Sequence, residues 1–155
     1  MKYLNLILLI AAVSAFTSCS YLTDFAVINE SDQAIEVKYK VKNYPGPFGP
    51  PVDLATIQTS QLSPKGRQAW IKLTPSQYQL DEENRTVLIK VMPGQSLRVV
   101  TMHHYVGHED ATEAANYPIA EISVIGARGE LKEAGERART SFSKVSRALY
   151  TFTYE

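Results

Sequence analysis

Only one cysteine occurs in the 155 residues, at position 19. With no second thiol, no disulfide can staple the fold within the chain. No apolar run approaches the roughly 20 residues of a bilayer-spanning helix. The longest, Leu4 to Phe16, holds thirteen and is interrupted by Asn5 and Ser14. Charge of one sign is missing too, since 16 lysines and arginines face 16 acidic residues. That balance argues against a nucleic-acid partner, which needs a clustered basic surface. The sequence has no G-x-S-x-G elbow, no H-E-x-x-H and no P-loop, so the common local signatures of hydrolytic, zinc and nucleotide chemistry are absent. Nothing repeats at a fixed period, which excludes propellers and solenoids.

What is present starts at the first residues. Lys2 forms a minimal positive region, and Leu4 to Phe16 has the length of a secretory apolar segment rather than a membrane span. Ala15, Thr17 and Ser18 are small residues just before Cys19. The run Phe16-Thr17-Ser18-Cys19 resembles the lipobox of bacterial lipoprotein precursors, with Phe16 where that family prefers leucine. The resemblance implies that residues 1–18 are a signal peptide that is removed, and that the sulfur of Cys19 carries a diacylglyceryl group. It also implies acylation of the freed amine. A lone thiol in an oxidising compartment has no other use as a structural bond. Ordinary secretion with cleavage near Ser14 or Ser18, and a buried structural cysteine, are the alternatives. Ser20 after the cysteine, rather than aspartate, implies the outer membrane, facing the periplasm.

Removing residues 1–18 from 155 leaves 137, enough for one domain with a substantial core. Residues 19–24 are expected to form a short lipidated tether of at most about 20 Å, and residues 25–155 a single β-rich domain. Ile35, Val37, Tyr39 and Val41 alternate with Glu36, Lys38, Lys40 and Lys42, the period-two pattern of a strand with one wet face. The lysines on that face suggest protection against edge-to-edge pairing. Further strands are expected at 25–29, 54–59, 68–73, 86–91, 96–105, 119–126 and about 130–134, with a last one closing the chain. Thr74-Pro-Ser-Gln77 has capping-box spacing with proline at the first helical position. Asp81 to Asn84 reads as a solvated loop, and 141–147 fits strand or helix. Many short strands, frequent turns and no long helix predict an all-β fold, an antiparallel β-sandwich. An immunoglobulin-like arrangement is the first choice and a small barrel the second.

Two surface features carry candidate function. Residues 43–53 hold four prolines and two glycines, and present Tyr44 and Phe48 as a contact loop for a protein or envelope polymer. His103, His104, His108, Glu109 and Asp110 gather all three histidines beside two carboxylates, a set able in principle to hold zinc or copper. On a strand His103 and His104 point to opposite faces, so one of them would have to join His108. A hydrolase whose site is assembled only by the fold is the remaining alternative. The leading expectation is a non-enzymatic, lipid-anchored envelope protein with no cofactor beyond its covalent lipid.

Overall fold

The computed structural model describes residues 20–42, 58–61, 70–105, 117–146 and 148–155. The chain is a two-layer β-sandwich, not a closed barrel, as the strand pattern predicts. Among the described residues eleven strands run in chain order: β1 (Ser20–Asn29), β2 (Ile35–Val41), β3 (Gln58–Gln61), β4 (Ile71–Lys72), β5 (Tyr78–Asp81), β6 (Thr86–Val91), β7 (Gln95–Tyr105), β8 (Ile119–Gly126), β9 (Gly129–Ala134), β10 (Ser143–Ser146) and β11 (Leu149–Tyr154). One sheet has the order β10-β11-β1-β7-β3-β4 and the other β5-β6-β2-β8-β9. The first two strands pair side by side in an immunoglobulin constant domain, whereas here β1 and β2 lie in opposite sheets.

β1 organises the first sheet. Its Phe25-Ala-Val-Ile28 run is buried, in a strand flanked by β7 and β11. It pairs antiparallel with β7 and parallel with β11. That parallel pair departs from the wholly antiparallel sandwich expected. It joins the two ends of the described chain and ties down the C-terminal strand. Residues 20–24, read from the sequence as tether, are the first half of β1.

β2 is the clearest strand in sequence and in structure. Ile35, Val37, Tyr39 and Val41 are buried, while Glu36, Lys38 and Lys40 are exposed. It is a central strand, between β6 and β8, so its lysines do not guard an edge. They build an outward polar ladder instead: Glu36 pairs with Lys90, and Lys40 with Glu121, which also meets Lys132 at 3.0 Å. Inside, Val37 and Tyr39 pack with Val87, Ile89, Leu97, Ile122 and Val124 in one core.

The turn Met92–Gly94 does not fold β6 back on β7. It carries the chain from one sheet to the other. Gly94 takes a positive φ of 71° there, which its lack of Cβ allows. The capping box is as read: the Gln77 side chain accepts from the Thr74 N–H at 2.9 Å, and a 3-10 turn spans Pro75–Gln77. It feeds directly into β5, which the acidic run after Leu80 disguised as loop. A four-residue helix, α1 (Arg137–Thr140), comes just before the segment 141–147 that fits strand or helix in sequence, and within that segment the structure has the strand β10.

Asn29 locks one pole of the sandwich. It is fully buried, and its amide nitrogen donates to the carbonyls of Gln33 at 2.8 Å and Val91 at 3.0 Å. Its side-chain oxygen accepts from the Ser31 N–H and hydroxyl. One side chain thereby fastens the β1–β2 turn to the end of β6. It also makes Asn29-Glu-Ser31 a sequon whose asparagine is out of reach in the folded protein. Asn29→Asp leaves two buried carbonyls facing oxygen in place of N–H, so a loss of about 2–3 kcal/mol is expected. A lower urea midpoint at unchanged slope is the check.

Candidate functional site

The histidine set can be placed only in part. His103 and His104 belong to β7, where they pair with Leu22 and Tyr21 of β1. His108, Glu109 and Asp110 lie outside the described residues, as do Tyr44, Phe48 and Cys19. Among the described residues, no three histidine, cysteine or carboxylate side chains come close enough to share a metal ion. No helix among them is long and apolar enough to cross a membrane.

The structure assembles a polar cluster that the sequence did not reveal. Asp24, on the outer face of the first sheet, accepts from the Trp70 indole N–H at 3.1 Å and from the Thr101 hydroxyl at 2.6 Å. Arg98 approaches the same carboxylate at 3.4 Å, and its guanidinium lies 5.1 Å from the centre of the Trp70 ring. Both charged side chains are about one-fifth exposed. The partners are 46, 74 and 77 residues away from Asp24, so no local motif could announce them. Register supplies them: Asp24 pairs with Thr101, and Ala26 with Arg98. The only hint in sequence is an aspartate directly before an apolar strand run.

Chemically, this carboxylate is an acceptor already engaged by three donors, one of them cationic. That suits a tie between β1, β7 and the β4 edge rather than a general base. Asp24→Ala leaves the indole N–H without its acceptor and takes one partner from the guanidinium, so a loss of about 1–3 kcal/mol is expected. Trp70 is the only tryptophan, so its emission should change in the folded state as well as reporting the lower urea midpoint.

No protein-family model, curated protein or solved structure matches the chain. The reading of function therefore rests on residues and geometry alone.

At the pole where β1 begins, Phe25 stacks on Tyr150 at 5.0 Å and meets Tyr117 and Phe142 at 4.9 and 5.7 Å. Arg139 of α1 lies over both Phe25 and Tyr150, at 5.0 and 4.3 Å from their centres. Burial pushes the Tyr117 phenol far above its ordinary range, against the opposing charge of Arg139. Burial, then neighbouring Tyr78, does the same to Tyr39. Neither hydroxyl exchanges a proton near neutrality. At the opposite pole an open groove of about 380 Å3 is lined by Glu30, Ser31, Asp32, Gln33, Arg128 and Tyr154. The Tyr154 ring lies so close to Gly126 that a Cβ there would meet its hydroxyl at 2.5 Å, and that hydroxyl accepts from the Arg128 N–H. The groove is a polar, mainly acidic surface with no histidine in its lining.

Proposed function

We propose that the chain is a lipid-anchored, non-enzymatic protein of a bacterial envelope, held at the outer membrane on its periplasmic side. Its β-sandwich serves as a binding module for a protein or a surface polymer. The observation that carries the reading is the succession of an apolar leader, the box Phe16-Thr17-Ser18-Cys19 and a strand beginning at Ser20. Lipid on Cys19 explains the short leader and the single thiol together. It also gives a module with little evident catalytic chemistry a location from which binding has consequences. Two chains hold a protein on a bilayer stably where one holds it marginally.

Crosslinking in the native envelope followed by mass spectrometry tests both halves. The expected result is a Cys19-terminal peptide bearing a diacylglyceryl mass, together with crosslinks to a defined neighbour. A mature N-terminus elsewhere, with an unmodified thiol, refutes the anchor. Turnover of an envelope substrate by the purified protein refutes the non-enzymatic half.

A further inference from the structure

We propose that β5 is a docking edge, which takes an extended basic segment of a partner protein as a further strand of its sheet. The inference rests on the binding-module half of the reading above and is independent of the lipid. The two sheets have four edge strands between them, and three are blunted. β4 is only two residues long. β10 is interrupted by a register shift between Lys144 and Ser146, and a bulge with a lysine discourages pairing. β9 sets Glu133 opposite the buried Ile122, on the core side of its sheet, and an inward charge is a further protective device. α1 also packs against β9.

β5 has none of these devices. Tyr78-Gln-Leu-Asp81 pairs with β6 without a register shift and contains neither proline nor lysine. Tyr78 and Leu80 lie opposite the buried Ile89 and Val87, so both face the core and are half-buried against it. Gln79 and Asp81 are exposed on the other face. Among the described residues, no strand and no backbone hydrogen bond occupies the outer side of β5. A strand with one neighbour turns about half of its N–H and C=O groups away from it, and an added strand satisfies them while its alternate side chains give specificity. Charge selects the partner. From Pro75 to Asn84 the chain has three acidic residues, Asp81, Glu82 and Glu83, and no basic one. All three are exposed. Lys90 of the adjoining strand is already across from Glu36, and Lys38 is two strands in from the edge. The fitting segment therefore alternates apolar residues, which lie beside Tyr78 and Leu80, with lysine or arginine, one of them toward Asp81–Glu83.

Amide hydrogen exchange of the intact protein tests the edge, with a capped hexapeptide of alternating valine and lysine as probe and its valine–glutamate counterpart as control. The lysine peptide is expected to slow exchange at Tyr78–Asp81 several-fold, less so at high salt, and the glutamate peptide to leave it unchanged. Glu82→Lys combined with Glu83→Lys changes only exposed turn residues, so it should abolish the protection with the fold retained. Leu80→Lys puts an inward charge at the edge and should abolish it too; if that variant does not fold, the charge pair still decides. No protection, equal protection by both peptides, or protection at β9 or β10 instead overturns the proposal. So does a mass that doubles with concentration while the same amides are protected without peptide, which would assign the edge to a second copy of the chain. An envelope neighbour crosslinked to another face, with Tyr78–Asp81 unprotected, sinks the edge alone, whereas turnover of a substrate sinks the binding-module reading.

Discussion

Cys19→Ala is expected to move the protein from the membrane fraction to the soluble fraction and to block cleavage before residue 19 in its ordinary form. The size of the effect follows from transfer energetics. Each buried methylene contributes about 0.8 kcal/mol, and a single myristoyl-length chain binds with a constant on the order of 10^4 M−1. A diacylglyceryl group on sulfur supplies two chains, and acylation of the amine adds a third. Loss of all of them should lower the bound fraction by well over about tenfold. Net charge offers no compensation, because the chain has as many acidic as basic residues. Fractionation with intact-mass measurement of wild type and variant is the check. A variant that is cut at the same bond and still sediments with membranes would refute the anchor. A retained urea midpoint should accompany the change of location.

Phe25→Ala is the substitution expected to damage the fold most. Phe25 is completely buried, in the strand shared by the antiparallel and parallel halves of its sheet. Its ring is stacked at 13° on Tyr150 and edge-on to Phe142, with Tyr117 tilted against it. Truncation removes these contacts and opens a cavity that the flanking strands cannot close, at a cost of about 3–5 kcal/mol. It also removes one of the two rings beneath Arg139. Typical domains have a total of about 5–15 kcal/mol, so the variant should melt far lower or fail to accumulate. Phe152→Ala, at a half-buried ring touching Phe142, should cost clearly less. Thermal unfolding of the pair measures the contrast, and equal losses would show that the aromatic cluster is not the centre of stability.

Local reading succeeded where a single face decides the outcome. The alternation in β2, the inward Ile122 and Val124 of β8 and the β9 hairpin after Gly126 follow from side-chain period and turn chemistry. The Thr74 capping box was legible because all its partners lie within four residues. β5 was not, because the capping box suggested a helical turn through Gln79 and Asp81 reads as the start of an acidic loop, although Tyr78 to Asp81 pair with β6. A carboxylate at a strand end looks in sequence like loop. The central position of β2 was also hidden, since three lysines on a solvated face read the same at an edge and in the middle of a sheet. The Asp24 cluster was invisible for a different reason: Thr101 and Arg98 arrive through the β1–β7 register and Trp70 from just before β4, all far away in sequence.

Composition and order by themselves pointed to an all-β chain of many strands, with one wet face legible in β2, and they nominated Cys19 as the point of attachment. Those are properties of nearest neighbours along the backbone, where sterics and polarity act over a few residues. Tertiary structure alone decided that β1 and β11 pair in parallel, that the Met92–Gly94 turn crosses between sheets, and that Asn29 fastens one pole. Each joins segments far apart in sequence. Their closure entropy is met only when the whole core forms at once, so no short window of residues carries the instruction.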